Sequence, residues 1–317
     1  MRRIVYEAFG EAEVIHLVRA PVPEPGPNEV RLQVVAAGLN PIDWKTRRGL
    51  GFVAQQIGDK LPWTPGFEVS GTVTAVGTDV RDWKLGDRAC GMVGFPLGAG
   101  GYAEQVVTAA DRLCQVPENL DMIPVGGLPL AGLTAWQGLF EHGKLKSGDK
   151  ILIHAGAGGV GHLAIQLAKT LDVHVIATAS DENIDFLTGL GADEVIDYHN
   201  DDFVEECYGL DLVLDLVGGE VGRRSVHTLA TGGTLVTVPT NTADAVIAAA
   251  EEQGLHAVNF TVRPDTEQLE SMLELMEQGD LQVHVEAEYH LGDAAAAQRR
   301  LEEGHVRGKL VLVPGDS

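Results

Sequence analysis

The segment ILIHAGAGGVGHLAIQLAK, residues 151–169, indicates the fold more strongly than any other part of this 317-residue chain. An apolar strand pattern leads into Gly156-Ala157-Gly158-Gly159-Val160-Gly161, and an amphipathic helix pattern follows. Gly-x-Gly-x-x-Gly is a weak motif alone, but between a strand and a helix it is typical of dinucleotide-binding loops. Its glycines would allow a tight turn, approach of the pyrophosphate and close packing of the helix, in that order. A glycine-rich turn without a ligand is the alternative.

Strand and helix patterns continue to alternate on both sides of this loop. Strands are predicted at 150–154, 173–178, 194–196, 211–216 and 233–238, and helices at 128–140, 161–169 and 183–190. Such alternation is the signature of a doubly wound parallel sheet. The first ~120 residues instead show short strands between Gly/Pro turns, which predicts a compact β-rich domain. The strand pattern at 309–313 is expected to return to that domain.

The length predicts two domains, because 317 residues exceed the usual size of one core. We predict an α/β protein in which 1–120 and 281–317 form a β-rich domain. Residues 121–280 are assigned to a Rossmann dinucleotide-binding domain with a parallel sheet.

The charge of the chain excludes some partners. There are 46 acidic and 23 basic side chains, a formal net charge of −23, and the acids are spread along the sequence. Nucleic-acid binding is disfavoured because it needs a clustered basic surface. Since Arg outnumbers Lys, we hypothesise a halophile protein adapted to a salty cytoplasm; an ordinary acidic protein is the alternative.

Location and redox state are read from what the sequence lacks. No apolar run approaches the ~18 residues of a membrane span, and the N-terminus has no signal-like apolar region, so a cytoplasmic location is expected. The three cysteines are isolated, which favours reduced thiols and no cysteine-rich zinc lobe.

The choice between NADPH and NADH is expected at the end of the strand that follows the loop. Thr178 and Ser180 are small and hydroxylated there, where an NAD site wants a carboxylate. Tyr198 could donate to a 2′-phosphate, which favours NADPH. Two observations argue against this preference. Two acidic residues follow at 181–182 with no Lys or Arg close in sequence, and Ser180 could simply cap a helix.

Eight stretches in succession resemble one family: AAGLNPIDWKTRRG, PGFEVSGTVTAVG, LGDRACG, GGYAEQVV, LPLAGLTAWQGL, GAGGVGHLAIQLAK, LGADEVIDY and GHVRGKLVL. The chain resembles the medium-chain dehydrogenase/reductase superfamily, in its zinc-independent quinone oxidoreductase (enone/quinone oxidoreductase-like) branch. The resemblance covers nearly the whole chain. It implies a GroES-like catalytic domain beside the Rossmann domain, and a homodimer.

The resemblance also bears on whether the chain has a catalytic zinc site. Zinc alcohol dehydrogenases of the superfamily have a cysteine in the segment matching residues 38–43 and a His-Glu pair after the Pro-Gly turn. This chain has Asn40 and Asp43 in the first place and Phe67-Glu68 in the second, so no zinc site of three ligands can be assembled. We expect Glu68 to be a structural carboxylate bonded to backbone or to an arginine.

Candidate site residues follow from the resemblance. Asn40 is expected to orient substrate or ribose, or only to cap a turn. Asp43 and Lys45 could form a proton relay, although a lone lysine is usually a solvated surface group. Phe67 would narrow the pocket in favour of flat acceptors. The residues expected at the cofactor, beyond those of the loop and its ribose end, are Thr134, Val217, Gly218, Val238, Pro239, Phe260, Thr261, Val262 and Gly308.

Together these features predict an NADPH-dependent reductase of quinones or α,β-unsaturated carbonyls that acts by direct hydride transfer without metal. Such acceptors spread the new negative charge onto a distant oxygen, so a few hydrogen-bond donors suffice to stabilise it. A non-catalytic NADPH-binding sensor or scaffold is the alternative, because resemblance does not prove turnover.

Overall fold

The computed structural model describes residues 1–58 and 60–315. They form fifteen strands. The strands are Arg2–Tyr6 (β1), Ile15–Arg19 (β2), Glu29–Gly38 (β3), Glu68–Val76 (β4), Arg88–Met92 (β5), Gln105–Ala109 (β6), Leu113–Gln115 (β7), Lys150–Ile153 (β8), His174–Ala179 (β9), Glu194–Asp197 (β10), Leu210–Asp215 (β11), Leu229–Thr237 (β12), His256–Asn259 (β13), Val285–His290 (β14) and Lys309–Val313 (β15).

The same residues form eleven α-helices. The helices are Pro41–Arg47 (α1), Gly51–Ile57 (α2), Met122–Val125 (α3), Pro129–Trp136 (α4), Gly161–Ala168 (α5), Ile184–Gly189 (α6), Phe203–Glu206 (α7), Gly219–Ser225 (α8), Ala243–Glu252 (α9), Thr266–Gln278 (α10) and Ala294–Glu302 (α11). No described helix is both long and apolar enough to cross a membrane.

The chain divides into two units. The first unit comprises Met1–Leu133, Arg263–Gly279 and the residues from Val283 onward, and the second comprises Thr134–Val262 and Asp280–Gln282. Residues 121–133 and 263–279 thus belong to the first unit and 281–282 to the second, which differs from the predicted bounds. The second of these segments contains α10, which contacts β7 of the first unit.

The first unit is β-rich, as its turn-punctuated sequence indicates. Its main sheet has the order β14-β15-β3-β4-β5-β7, with β6 also paired to β3, and β1 and β2 form a separate ribbon. Side chains of β3 alternate between buried and half-buried along most of its length, which is the period of a strand with one face on the core. The prediction that 309–313 returns to this domain is confirmed, because β15 pairs antiparallel with β3.

The second unit contains the predicted doubly wound sheet. Its six strands are parallel, in the order β10-β9-β8-β11-β12-β13. The central strands are apolar runs because helices cover parallel sheets on both faces, and Ile151, Leu152 and Ile153 are fully buried. The order changes direction at β8, so the loops that follow β8 and β11 lie at the switch point where ligands bind.

The helix predicted at 128–140 differs from the observed structure in its second half. Regular α-helix ends at Trp136, and the next six residues, Gln137–His142, form a π-helical turn. Apolar periodicity does not distinguish these two windings over so short a segment. The three cysteines are free and buried.

Candidate active site and cofactor loop

A buried charged network in the first unit joins Glu68, Asn40 and Lys309. The Lys309 ammonium donates to Glu68 Oε1 at 2.8 Å, to Asn40 Oδ1 at 2.6 Å and to the Leu39 carbonyl at 2.8 Å. Asn40 Nδ2 donates to the same Glu68 oxygen at 2.6 Å, and Leu130 N–H donates to Glu68 Oε2 at 2.6 Å. The side chains of Glu68 and Lys309 are 0% and 2% exposed. Each buried charge is therefore paired and hydrogen-bonded.

Local sequence creates room for this network. Glu68 is the first residue of β4, and a Cβ on Gly38 of the neighbouring strand would lie 2.2 Å from Glu68 Oε1. Glycine at position 38 is thus a packing requirement. Lys309 is the first residue of β15, and the preceding Gly308 has a positive φ of 70° and would clash with the His284 carbonyl if it carried a Cβ. The network corrects our expectation for Glu68 in one respect, because its cationic partner is a lysine rather than an arginine.

Asp43 lies beside this network but faces inward. Its oxygens accept the Asn40 N–H at 2.8 Å and the Gly66 N–H at 3.1 Å, which fixes the start of α1. Burial raises the pKa of Asp43 to about 7, opposed chiefly by the hydrogen bond from the Asn40 backbone. Asn40 is the N-cap residue of α1 and forms a capping box with Asp43, and its side chain also bonds Glu68 and Lys309.

The structure does not form the predicted relay between Asp43 and Lys45. Among the described residues these two side chains share no hydrogen bond or ion pair, since positions i and i+2 of a helix do not face each other. The Lys45 ammonium instead lies 5.7 Å from the centre of the Trp44 ring. Partial burial lowers the pKa of Lys45.

Phe67 belongs to a row of aromatic rings. It is fully buried, with its ring centroid 5.7 Å from Trp63 and 5.5 Å from Phe95, and Phe52 and Tyr6 extend the row at its two ends. Such tilted and edge-on pairs add to the stability of an aromatic cluster. The Phe67 ring therefore packs beneath the surface instead of lining an open face.

In the second unit, close packing explains two of the three motif glycines, including Gly156, for which a tight turn was expected. A Cβ on Gly156 would lie 2.8 Å from Leu187 Cδ1, and a Cβ on Gly161 would lie 2.3 Å from the Ala155 carbonyl oxygen. Both glycines are therefore close-packing positions. Gly158 differs, because an added Cβ there would meet only the Ala155 oxygen at 3.3 Å, so its outer side is open.

This loop fits a pyrophosphate. The N–H groups of Ala157, Gly159 and Val160 make no backbone hydrogen bond within the described part of the chain, and these residues are partly exposed just before α5. Free N–H groups at a helix N-terminus bind anions through direct donation and the helix dipole. The residues present at the loop thus suit a dinucleotide.

The predicted ribose-end residues are placed differently from one another. The Thr178 side chain is buried, and its hydroxyl faces His154 and the Ala155 N–H at 3.1 and 3.3 Å. Ser180 Oγ accepts from Asn183 Nδ2 at 2.9 Å and donates to Glu182 Oε1 at 3.3 Å. Tyr198 is 45% exposed at the end of β10.

The other predicted cofactor residues lie mostly at strand ends of the second unit. Val217 and Gly218 follow β11, and their N–H groups donate to the buried Asp215 carboxylate at 3.0 and 2.7 Å. Val238 and Pro239 follow β12, and the Val238 N–H bonds the Asp215 carbonyl. Phe260 follows β13 and stacks on His142 at 4.5 Å, with Thr261 and Val262 next along the chain. Thr134 is buried within α4, and Gly308 belongs to the first unit.

Comparison with known proteins identifies the family. A model of the alcohol dehydrogenase GroES-like domain matches residues 26–118, and one described as zinc-binding dehydrogenase matches 190–312. A chloroplast envelope quinone oxidoreductase homolog of Arabidopsis thaliana is 32% identical over 99% of this chain and 98% of its own. The chain belongs to the quinone oxidoreductase-like medium-chain dehydrogenases/reductases.

Two further relatives extend this finding. An NADPH-dependent alkenal/one oxidoreductase of Arabidopsis thaliana is 34% identical, over 99% of this chain and 80% of its own. The structure of the quinone oxidoreductase from Coxiella burnetii superimposes with a TM-score of 0.97 at 43% identity, covering 99% of both chains. This medium-chain reductase is therefore an oxidoreductase with a GroES-like domain and a Rossmann-like domain, as predicted.

Sequence reasoning missed two residues of this reductase, Lys309 and Ser225. Lys309 pairs with Glu68, and Ser225 Oγ lies 2.9 Å from His154 Nε2. A lysine opening an otherwise apolar strand signals a buried partner, because lysine is almost never fully buried unpaired. Within residues 1–58 and 60–315, no three His, Cys, Asp or Glu side chains are grouped to hold a metal ion.

Proposed function

We propose that this enzyme reduces quinones or α,β-unsaturated carbonyls with NADPH by direct hydride transfer, without a metal. The observation that carries the proposal is the buried pair of Glu68 and Lys309, at 2.8 Å. The charge of this carboxylate is balanced by a cation of the chain itself. Relatives named quinone oxidoreductase and alkenal/one oxidoreductase support the substrate class.

The acceptor class agrees with the chemistry of this site. Oxidation of an alcohol needs a Lewis acid to stabilise an alkoxide, whereas a conjugated acceptor delocalises the charge that it receives. A reduced nicotinamide supplies the hydride when bound. The protein then has to hold the acceptor, supply hydrogen-bond donors for the developing oxyanion and exclude water.

Our assignments for the catalytic residues follow from their contacts. Asn40 orients the acceptor or the ribose, because Lys309 and Glu68 hold its amide in one orientation. Lys45 donates the proton that completes reduction, since a lowered pKa makes its ammonium a better acid. Asp43 positions α1, and Phe67 shapes the site from beneath through its aromatic neighbours.

For the cofactor, we assign the pyrophosphate to the loop 156–161 and the 2′-phosphate to Ser180 and Tyr198. Tyr198 is exposed enough to reach a ligand, and Ser180 follows β9, the strand that pairs with β10. The competing observation is the hydrogen bond from Ser180 to Glu182, which places a negative charge where NADPH would bring another. The ratio of kcat/KM for NADPH and NADH measures the preference, and Tyr198→Phe should lower it if Tyr198 donates to the phosphate.

The setting of the enzyme is also proposed. We assign a cytoplasmic location, a homodimer and adaptation to high salt. The edge strand β13, which pairs only with β12 in the described part of the chain, offers unpaired backbone groups for a partner. Light scattering should give twice the 33.7 kDa chain mass. Melting temperature should rise in molar salt if the net charge of −23 is a salt adaptation.

The central experiment is NADPH oxidation by purified protein against quinones, enones and saturated aldehydes, with and without chelator. We expect turnover of conjugated acceptors only, unchanged by chelator. Activity abolished by chelator and restored by zinc would refute the metal-free proposal. Tight NADPH binding without turnover of any acceptor would instead support a sensor. Lys45→Met should lower kcat, and Lys45→Arg is the control that keeps the charge.

A further inference from the structure

A second buried polar network lies in the second unit, directly behind the glycine loop. His154 is the last residue before the loop turns away from the sheet. Its Nδ1 lies 3.1 Å from Thr178 Oγ1 and its Nε2 lies 2.9 Å from Ser225 Oγ. All three side chains are buried. The network therefore joins the loop to the end of β9 and to α8.

The direction of each hydrogen bond in this network can be deduced. Ser225 Oγ donates its single proton to the Val221 carbonyl at 2.7 Å, so it must accept from His154 Nε2–H. A neutral imidazole then has a lone pair on Nδ1, which accepts from the Thr178 hydroxyl. That hydroxyl in turn accepts the Ala155 N–H at 3.3 Å. The chain of donors thus runs one way, from Ala155 to Val221.

The neutral form of His154 that this direction needs is the form that burial favours. Burial lowers the pKa of His154 to about 4, with Asp215 as an opposing influence. The Phe203 ring packs edge-on against the imidazole at 4.7 Å and limits its rotation.

Thr178 acts on the first two residues of the loop. Its hydroxyl accepts the Ala155 N–H, and its carbonyl accepts the Gly156 N–H at 2.9 Å. Ala155 has a φ of +51°, the left-handed region that residues with a Cβ rarely adopt, so its conformation needs support from outside the loop. The Ala155 carbonyl then accepts the Gly158 N–H at 3.0 Å and forms the surface on which Gly161 packs.

We propose that Thr178 and His154 are positioning residues that set the conformation of the pyrophosphate-binding loop, and that Thr178 does not contact the cofactor's 2′-phosphate. The proposal rests on dinucleotide binding by this loop, which is part of the proposed function. It has a specific consequence. NADH and NADPH share the pyrophosphate, so loss of the Thr178 hydroxyl must weaken both to the same extent.

The test compares Thr178→Val, which keeps the shape and removes the hydroxyl, with Thr178→Ser, which keeps the hydroxyl. Dissociation constants for NADPH and for NADH are measured by fluorescence titration. We expect Thr178→Val to raise both constants by a similar factor of about ten, the equivalent of one lost hydrogen bond. Thr178→Ser should stay within about twofold of the parent protein. Amide hydrogen exchange at Ala155 should accelerate in ligand-free Thr178→Val alone.

Several results would overturn the proposal. A weaker affinity for NADPH alone would mean that Thr178 contacts the 2′-phosphate. Equal dissociation constants for the Val and Ser variants would show that the hydroxyl has no role. If Thr178→Val does not fold, the proposal is tested with Ser225→Ala and with the ¹⁵N spectrum of His154 in the parent protein. The spectrum should show the proton on Nε2, and a proton on Nδ1 would contradict the deduced direction.

Failure of the proposed function is distinguishable in the same experiment. Dinucleotide binding without reduction of any acceptor refutes the reductase but leaves this inference intact. Absence of binding of either dinucleotide by the parent protein overturns the inference.

Discussion

Two of the buried polar networks, one from each unit, are built differently. In the first unit, Glu68 and Lys309 carry full charges and compensate each other at 2.8 Å. In the second unit, His154, Thr178 and Ser225 are neutral and are joined by hydrogen bonds of one direction. The charged network depends on the presence of both partners, whereas the neutral one depends on the orientation of each group.

The comparison teaches that the same degree of burial can serve two purposes. A buried ion pair adds little net stability over an apolar pair of the same shape, but loss of one partner strands a charge. When a neutral hydrogen-bond network is broken, only a hydroxyl or an N–H is left without a partner, and the loss of stability is smaller. The first network is therefore needed for the stability of its unit, and the second sets the conformation of a loop.

The largest expected effect comes from breaking the charged network. Lys309→Met keeps most of the side-chain volume but leaves the Glu68 carboxylate buried without its cation, which should lower the free energy of unfolding by about 3–5 kcal/mol. Denaturant unfolding followed by tryptophan fluorescence measures this. The double variant Glu68→Gln/Lys309→Met should recover much of the loss, and a double variant as unstable as the single one would contradict the compensation argument.

Acidification should affect the neutral network next. The folded protein keeps His154 neutral with a pKa of about 4, while the unfolded chain takes up a proton near pH 6.5. Stability contributed by His154 is thus complete above pH 6.5 and is lost as pH falls toward 4. Relative to His154→Gln, the parent protein should lose about 2 kcal/mol between pH 6.5 and 5. Parallel stability curves for the two proteins would show that His154 is not held neutral.

Asp43, beside the charged network, should respond with the opposite sign. Its pKa is raised to about 7, so its contribution to stability is complete below pH 3.8 and is lost as pH rises through 7. Relative to Asp43→Asn, which has no charge to bury, the parent protein should lose about 1 kcal/mol between pH 6 and 8. The readout is the change in the difference between the two proteins, measured by urea unfolding. A difference that grows in favour of the parent protein would give the wrong sign.

An exposed ion pair provides the smallest effect and the reference for the charged network. Arg299 Nη1 and Glu13 Oε1 lie 3.1 Å apart with both side chains at least half exposed. Arg299→Ala should change the free energy of unfolding by no more than about 0.5 kcal/mol, because solvent and salt screen the pair. An effect as large as that of Lys309→Met would show that burial is not what separates the two pairs.

The fold was predictable because its signals are local. The glycine loop and the apolar runs such as residues 151–153 carry their meaning within a few neighbouring positions. The π-helical turn at Gln137–His142 was not predictable, since it differs from an α-helix only in the winding of its backbone. The unit boundaries depend on which sheet a helix packs against, and periodicity does not report that.

The candidate site was predictable only in part. Asn40 and Glu68 were recognised from their resemblance to family positions, and the structure brings them within 2.6 Å. Their partner Lys309 was missed because it lies 241 residues from Glu68 in the sequence. The direction in which Thr178 points was also beyond the sequence. A threonine at a strand end can face solvent or the core. Here the Thr178 hydroxyl faces the core because it hydrogen-bonds the His154 ring.

The position of Lys309 at the start of β15 also has a consequence for biosynthesis. A ribosome makes Glu68 long before Lys309, so a nascent chain can complete β3, β4 and β5 while the carboxylate among them still lacks its cation. The first unit cannot reach its final form until the strand that carries Lys309 emerges and inserts beside β3. The second unit, whose segments lie almost entirely between, is then free to fold first.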